Sequence, residues 1–317
     1  MSDSISIIMA TYNGSTYLRE QLDSILHQTL LPKEIIIQDD CSTDDTVLII
    51  QEYLCHLPIQ FEINPVNLGY VRNFELALSK ATGDYIALCD QDDIWAPNKL
   101  KLLLSNIGGK SLVYSNSLLI NSKSESLNTT LSQKLRNHFI STHSPLTFIY
   151  DNCVSAHAML FHHSLIPYTT PFPSQLYFDA WIAANAAALN GISYIDQTLV
   201  HYRQHTNNTL SKTTKTKLSL FKKISLKVEK KASEHDSHAK IISEFLSISS
   251  LTNDEQNLLK SLQIAHLAFA HHWFNFTLFT LLILHRKTLF AITTRNPFSI
   301  ALKKSIGLKL YRLFPFL

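Results

Sequence analysis

The chain has 317 residues, of which 45% are hydrophobic and 17% are charged, with only seven glycines. This composition supports one sizeable core and excludes intrinsic disorder, collagen and a disulfide-rich scaffold. The net charge of +3 conceals an asymmetry, because residues 1–200 carry −9 and residues 201–317 carry +12. The two parts of the chain are therefore expected to face different partners.

The cysteines and the start of the chain both indicate a reducing compartment. The four cysteines are widely spaced and form no CxxC pair, which is typical of reduced, structural thiols. Residues 1–4 carry no positive charge, and the apolar run that follows is too short for a signal peptide. We expect the chain to begin in the cytoplasm.

Residues 5–115 alternate short β-branched runs with amphipathic stretches, a pattern typical of consecutive βα units around a mainly parallel sheet. Leu18, Leu22 and Ile25 share one helical face, and that helix should end before Pro32. Ser42 stands three residues before Asp45, which resembles a capping box. Strands are predicted at 5–10, 34–38, 59–63, 85–89 and 112–115, with a further helix at 71–81.

The second half of the chain gives weaker signals. Residues 117–150 are rich in Ser, Asn and Thr and support no assignment. Regular patterns resume at 156–161, with a helix predicted at 179–189 and a short strand at 192–195. After residue 212 the sequence becomes helical and basic.

Three predicted strands run directly into polar segments. Strand one is followed by Thr11-Tyr12-Asn13, strand two by residues 39–44 and strand four by residues 90–93. Ligands of open α/β sheets bind beyond the carboxyl ends of the strands, so these side chains should surround one crevice. Several carboxylates in one crevice repel each other, and a cation, a hydrogen-bonding ligand or protonation would relieve that repulsion. A divalent metal escorting a diphosphate fits this requirement.

These segments carry a family resemblance. The residues are 6–13 (SIIMATYN), 21–29 (QLDSILHQT), 39–44 (DDCSTD), 67–69 (NLG), 83–87 (GDYIA) and 90–95 (DQDDIW). Together they resemble the nucleotide-binding half of family 2 glycosyltransferases with the GT-A fold. The resemblance implies an α/β catalytic domain over residues 1–211, with a nucleotide-binding half at about 1–115 and an acceptor half at about 116–211. Residues 212–317 would form a helical, basic C-terminal extension.

The second half resembles the bacterial branch described as rhamnosyltransferase-like. The matching residues are 152–161 (NCVSAHAMLF), 179–183 (DAWIA), 202–205 (YRQH), Asn207 and Asn208. Cys41 and Ala156 stand where the family commonly has glycine, and Phe178 stands where histidine is frequent.

The resemblance implies a role for individual residues. Asp179 would be the catalytic base, and Asp92 with His205 would hold Mn²⁺ or Mg²⁺. Asp40 would accept the N3–H of a UDP or dTDP pyrimidine. The expected nucleotide-binding residues are Thr11, Tyr12, Asn13, Asp40, Asn67, Gly69, Asn73, Asp90 and Arg203, and the expected sugar or acceptor pocket residues are Trp95, His157 and Asp93.

Structural alternatives accompany these roles. Asp40 and Asp93 could serve as helix caps or turn residues, and Asp179 could be a helix N-cap. Trp95 is expected mainly to pack behind the acidic turn, and His157 could be a buried, hydrogen-bonded histidine. Arg203 and His205 could hold the diphosphate, or His205 could complete the metal shell.

The C-terminal region predicts a helix at 261–284 that packs on the catalytic domain or lies at the membrane surface. Residues 261–284 contain no formally charged side chain, but their histidines and amides argue against a membrane span. Residues 297–317 mix large apolar residues with lysine and arginine, as interfacial amphipathic helices do. We expect this tail to bind the anionic inner face of the membrane, with a homodimer interface as the alternative and with no nucleic-acid partner.

The sequence thus predicts an inverting, metal-dependent glycosyltransferase. Its acceptor would be a hydroxyl on a cell-surface polysaccharide, a lipopolysaccharide or a lipid-linked glycan. Two alternatives stay open, namely a non-catalytic sugar-nucleotide-binding scaffold protein and a glycoside hydrolase with paired carboxylates.

Overall fold

A computed structural model describes residues 3–205, 220–307 and 309 of the chain, with the side chains of 220–228 and 270 excepted. Asn207, Asn208 and the predicted boundary at residues 211 and 212 lie outside the described residues. The last eight residues of the predicted amphipathic tail lie outside them as well.

One nine-stranded sheet organises the fold, in the order β3-β2-β1-β4-β8-β6-β9-β5, with β7 paired to β6. The strands are β1 Ile5–Thr11, β2 Glu34–Asp39, β3 Ile59–Ile63, β4 Tyr85–Cys89, β5 Ile94–Trp95, β6 Leu112–Ile120, β7 Ser126–Thr130, β8 Met159–His162 and β9 Ile192–Arg203.

Helices cover both faces of the sheet and form the C-terminal part. They are α1 Leu18–Leu26, α2 Thr46–Tyr53, α3 Tyr70–Leu78, α4 Lys99–Asn106, α5 Leu131–Leu135, α6 Ile166–Thr169, α7 Phe178–Leu189, α8 Leu220–Leu246, α9 Asn253–Leu267, α10 Phe276–Leu284, α11 Arg286–Leu289 and α12 Pro297–Ser305. Short 3₁₀ turns occur at Pro145–Phe148, Ala156–Ala158, His163–Leu165 and Ala268–His271.

The sheet is parallel in its first part and mixed in its second. β1, β2, β3 and β4 pair in parallel, as predicted, so their carboxyl ends meet at one edge. β8 then lies antiparallel between β4 and β6, and β9 runs parallel to β6. This arrangement brings the ends of β4 and β9 to the same region, because β5 follows β4 and pairs with β9.

The segment at 117–150, which the sequence left unassigned, is ordered. β6 continues to Ile120, and β7 and α5 follow it. Asn116 is buried within β6, where its side chain contacts Ser132 in α5. Thr130 and Gln133 form the capping box of α5. Polar strand residues are stable here because their side chains are hydrogen-bonded.

The capping box predicted at Ser42 and Asp45 is wrong. Helix α2 begins at Thr46, and Asp45 makes no side-chain cap. The Ser42 backbone N–H donates to Asp39 (2.8 Å) and its hydroxyl donates to Asp39 (2.6 Å). Asp44 accepts from the Thr46 backbone N–H at 3.0 Å and from Ser15 at 3.1 Å.

The uncharged segment at 261–284 is broken, so it is not the single helix that the sequence suggested. Helix α9 ends at Leu267, and Asn275 caps α10 by accepting from the Leu278 N–H (2.9 Å). None of the described helices is long and apolar enough to cross a bilayer.

The C-terminal helices pack directly on the sheet domain. Phe245 of α8 contacts Trp181 of α7, and the His138 N–H donates to the Ile292 carbonyl at 2.6 Å. Residues from both regions belong to one continuous hydrophobic cluster. The helical extension therefore stabilises the second half of the sheet.

Cys41 lies between two site segments in a left-handed conformation, with φ of 65°. A β-carbon is unfavourable there, so Cys41→Gly should raise the free energy of unfolding by up to about 1 kcal/mol. Cys55→Gly is the control, because Cys55 lies in a turn without positive φ and its replacement should cost about 0.5 kcal/mol. Urea unfolding measures both variants, and an equal loss in the two would contradict the strain at Cys41.

Candidate functional site

The site begins where β1 and β2 end side by side. The Asp39 carboxylate accepts hydrogen bonds from the hydroxyls of Thr11 (2.8 Å) and Ser42 (2.6 Å). Thr11 is buried, so its hydroxyl faces Asp39 and not an open cleft. Asp39 thereby fixes the two strand ends relative to each other.

The next two residues are more open. Tyr12 is 47% exposed, and its backbone N–H and carbonyl pair with the Gln91 side-chain amide at 2.9 and 3.0 Å. Asn13 is exposed, and its side-chain oxygen accepts from the Thr43 N–H (2.8 Å). A β-carbon on Gly14 would lie 2.2 Å from the Gln91 amide oxygen. The β1 loop thus packs closely on the acidic turn after β4.

Asp40 organises the loop between β3 and α3. Its buried carboxylate accepts from the Asn64 amide (2.8 Å) and from the backbone N–H groups of Leu68 (2.7 Å) and Gly69 (2.8 Å). The side chain of Asn67 accepts from the Gly69 N–H (3.2 Å) and is exposed.

Asn73, predicted to bind nucleotide, lies beneath this loop. It is buried, and its amide oxygen accepts from Asn64 at 2.8 Å. Its amide nitrogen donates to the Gln38 carbonyl at 2.7 Å. Both ends of the Asn73 amide are thus engaged by protein groups, and the residue supports the loop from inside.

Three carboxylates crowd the turn after β4. Burial and the neighbouring Asp90 raise the pKa of Asp92, and burial and the charges of Asp92 and Asp90 raise the pKa of Asp93 well above its ordinary value. Asp92 contacts His205 at 2.7 Å, which joins this turn to the end of β9. The sequence-predicted pair Asp92 and His205 is therefore brought together.

A second set of ligand atoms lies on the inner side of the turn. His157 Nδ1 is 3.6 Å from Asp90 and 3.9 Å from Asp93. One atom from each of these three residues lies within 4.8 Å of the others. The Oδ2 atom of Asp93 is buried and has no hydrogen-bond partner among the described residues.

The donor set fits a divalent cation. Carboxylates and imidazoles are ligands that Mn²⁺ accepts, and carboxylates also suit Mg²⁺. A cation would offset the repulsion that raises the pKa values of Asp92 and Asp93. The unpartnered oxygen of Asp93 is a further ligand atom, in the group that Asp93 forms with Asp90 and His157.

The three residues predicted to line a sugar or acceptor pocket are instead buried. Trp95 is 2%, His157 4% and Asp93 0% exposed. The His157 ring stacks on Tyr202 and its Nε2 contacts Ser117 at 2.9 Å, which is the hydrogen-bonded interior alternative. Trp95 and His157 lie behind the acidic turn, Asp93 is a buried member of that turn, and none of the three lies on an open pocket wall.

Lys99 is a buried cation that the sequence analysis missed. Its ammonium donates to the His157 carbonyl (2.6 Å) and lies 3.2 Å from the centroid of the Trp95 ring. Burial lowers the pKa of Lys99 to about 7, and the charge of Asp93 opposes this shift. In its protonated form, which is about half of the population at pH 7, Lys99 places a positive charge beneath the carboxylates.

Arg203 is fully buried and holds the acidic turn from its other side. Its backbone N–H donates to Asp93 (3.0 Å) and its Nε donates to the Asp92 carbonyl (2.7 Å). The rest of the guanidinium donates to Glu20 (3.0 Å) and Ser124 (2.8 Å). These contacts engage the guanidinium with protein groups, an arrangement that suits a positioning role better than the predicted contact with the diphosphate.

Asp179 lies in the first turn of α7. The N-cap of this helix is Tyr177, so the N-cap alternative for Asp179 is wrong. Its carboxylate is partly buried and accepts from the Ala180 N–H (2.7 Å). Burial raises the pKa of Asp179 to about 7, and the charge of Asp90 adds to this shift.

The missed residues gave faint signals in the sequence. Lys99 begins the amphipathic helix α4, where a lysine normally faces solvent. Glu20 lies on α1, 183 residues from its partner Arg203. Asp39 belongs to the acidic segment 39–44, but the sequence analysis assigned a role only to its neighbour Asp40.

Comparison with known proteins identifies the class of this α/β protein. The profile of glycosyl transferase family 2 matches residues 6–165, which is half of the chain. The chain belongs to this family, as the resemblance predicted, and its fold is of the GT-A type. Family membership favours a transferase over the glycoside hydrolase alternative.

The relatives and structural neighbours agree with this assignment. The chain is 41% identical over 99 residues to the dTDP-rhamnosyl transferase RfbG of Shigella flexneri, which covers 29% of this chain and 34% of RfbG. The matched segments span about three tenths of the length of the curated relatives.

Two solved structures share the fold at low identity. TarS from S. aureus in complex with UDP-GlcNAc has a TM-score of 0.63 at 18% identity, covering 98% of this chain and 89% of that one. The mannosyltransferase PcManGT from Pyrobaculum calidifontis, in complex with GDP-Man and Mn²⁺, has a TM-score of 0.52 at 16% identity, covering 99% and 88%.

Arg203→Lys tests the positioning role. A lysine keeps the charge but cannot reach Asp92, Glu20 and Ser124 together, so the free energy of unfolding should fall by about 2 to 3 kcal/mol. Arg19→Lys is the matched control, because Arg19 pairs with Glu52 at the surface and its replacement should change little. Urea unfolding gives both values, and equal stability of the two variants would show that the buried contacts of Arg203 do not hold the turn.

Proposed function

We propose that this chain is an inverting glycosyltransferase. It would transfer a sugar from a UDP- or dTDP-sugar to a hydroxyl of a cell-surface polysaccharide, a lipopolysaccharide or a lipid-linked glycan. The observation that carries this proposal is the placement of Asp179. A partly buried carboxylate with a pKa of about 7 lies within electrostatic reach of the acidic turn after β4.

The ends of β1 and β2 would bind the nucleotide. Tyr12 offers an exposed ring and Asn13 an exposed polar side chain for the base and ribose. Three N–H donors contact the Asp40 carboxylate, which has about four acceptor positions, so it retains capacity for a pyrimidine N3–H. Gly69 and the exposed Asn67 would border the ribose.

Asp92 and His205, with Asp90 beside them, would hold Mn²⁺ or Mg²⁺ at the diphosphate. The cation, when bound, supplies positive charge that stabilises the departing nucleoside diphosphate. Arg203 and Lys99 would fix the acidic turn from inside, so that Asp92 and His205 are oriented before the donor binds. Thr11 and Asn73 would act in the same indirect way, through Asp39 and the β3–α3 loop.

Asp179 would act as the general base. Its carboxylate would accept the proton of the acceptor hydroxyl while the hydroxyl oxygen forms a bond to the anomeric carbon. The bond between that carbon and the diphosphate oxygen breaks on the opposite face, and its electron pair leaves with the nucleoside diphosphate. A base whose pKa is about 7 is half ionised near neutral pH, which suits this task.

The location follows from the acceptor and the charge of the chain. We propose that the protein works in the cytoplasm, at the inner face of the cytoplasmic membrane, where lipid-linked acceptors are found. The described part of the chain contains no helix able to span the bilayer, so this attachment would be peripheral. The acidic first 200 residues would keep the catalytic cleft away from the anionic lipid.

Asp179→Asn is the direct test of this mechanism. The amide cannot accept the proton, so sugar transfer should fall by 100-fold or more, while calorimetry should show unchanged binding of UDP or dTDP. Asp236→Asn is the control. Asp236 lies exposed on α8, so this variant should retain full activity. The scaffold alternative predicts that the wild type and both variants bind the nucleotide but transfer no sugar.

The pH profile provides the second readout of the same variant. Because only the ionised form of Asp179 is a base, activity in the wild type should rise about tenfold per pH unit below pH 7 and level off above it. The residual activity of Asp179→Asn should lack this rise. A wild-type profile that is flat between pH 5 and 8 would exclude Asp179 as the base.

A further inference from the structure

The C-terminal helices expose a group of large apolar side chains, which we call the aromatic face. It consists of Trp273, Phe276, Phe298 and Leu302. Phe276 is 73% exposed and Trp273 is 53% exposed. A lone exposed apolar residue is ordinary, but a cluster of aromatic residues at one surface marks an interaction site.

Ring contacts join the α10 and α12 parts of this face, and Trp273 directly precedes Phe274 in the chain. The ring centroid of Phe274 lies 4.8 Å from that of Phe276 and 5.6 Å from that of Phe279. The ring centroid of Phe279 lies 5.5 Å from that of Phe298. Phe298 and Leu302 are four residues apart on α12 and therefore share one side of that helix.

The backbone around the face is firmly anchored. The Asn275 N–H donates to the Ser305 carbonyl (2.7 Å), and the Gly307 N–H donates to the Trp273 carbonyl (2.9 Å). The buried Asn275 side chain also donates to the Ala265 carbonyl at 2.7 Å. The apolar side chains are thus displayed on a rigid support, without any need for a folding step.

The surroundings of the face are basic. Arg295, Lys303 and Lys309 are exposed at its edges, whereas Lys304 turns inward to Glu234. The sequence from residue 256 to residue 317 contains eight lysines and arginines and no aspartate or glutamate. Any partner must therefore accept aromatic side chains and positive charge together.

We propose that the aromatic face docks on an anionic lipid bilayer. Aromatic side chains are favoured at the depth of the lipid headgroups, and lysine and arginine beside them attract anionic headgroups. A second copy of the chain fits less well, because a two-fold interface through this face would bring the basic C-terminal residues of the two copies together. The inference rests on the proposed function in one respect, which is the glycan acceptor that the enzyme would meet at the bilayer.

Vesicle co-sedimentation of the full chain tests the proposal. The wild type should bind vesicles of phosphatidylcholine with about one third phosphatidylglycerol, and should bind pure phosphatidylcholine at least tenfold more weakly. Trp273→Ala combined with Phe276→Ala should weaken binding to the anionic vesicles by about tenfold or more. Lys303→Glu should weaken it by at least about fivefold, and more at low salt.

Matched variants on the acidic half serve as controls. Leu31 and Leu48 are 66% and 59% exposed, so Leu31→Ala combined with Leu48→Ala removes a similar apolar area elsewhere. Lys101→Glu makes the same charge change at an exposed site on α4. Both controls should bind vesicles as the wild type does, and equal losses in the control and face variants would overturn the proposal.

Two other outcomes would also overturn it. One is that the wild type fails to bind anionic vesicles. The other is that light scattering shows a wild-type dimer, that Trp273→Ala combined with Phe276→Ala converts it to a monomer, and that neither form binds vesicles. Calorimetry of nucleotide binding on the same samples distinguishes a failure of this inference from a failure of the proposed function. The aromatic face lies outside the nucleotide site, so its variants should bind nucleotide normally.

Discussion

Three carboxylates crowd into the turn after β4, and the surrounding structure offsets their mutual repulsion. Lys99 lies beneath the turn and contacts His157, while Arg203 binds its backbone and Asp93 from the other side. Gln91 joins the same turn to β1. These contacts leave Asp92 beside His205 at the end of β9, so the first and last strands of the domain meet at one site. The carboxylates are held together before any cation or diphosphate arrives, which reduces the cost of assembling the site on binding.

Strands β1, β2 and β4 were predictable because they are buried on both faces and contain continuous apolar runs. The second half was less predictable because β6 contains Asn116, whose polar side chain is stable there only through its contact with Ser132. The same distinction applies to the site. Asp92 and His205 were found through family resemblance, since each belongs to a short motif. Lys99 and Glu20 were missed, because only the folded chain brings them to their partners.

The C-terminal helices join the helix that carries the proposed base to the proposed membrane-binding surface. They share a hydrophobic core with α7, the helix that carries Asp179, through the contact between Trp181 and Phe245. A buried group of histidines also links them to the sheet domain, since Tyr150 contacts His266 at 2.9 Å. Burial lowers the pKa of His235 to about 3, so the His235 ring itself is uncharged at neutral pH. Any surface that binds the aromatic face would therefore be held at a fixed position relative to the proposed base.

The most direct measurement of the central claim is calorimetric titration of UDP and of dTDP, each with and without Mn²⁺, into the wild type and Asp92→Ala. The account predicts that one nucleotide binds the wild type, that Mn²⁺ strengthens this binding, and that Asp92→Ala loses the strengthening while Asp236→Asn keeps it. Absence of binding by either nucleotide, with and without Mn²⁺, would contradict a nucleotide-sugar site at the ends of β1, β2 and β4.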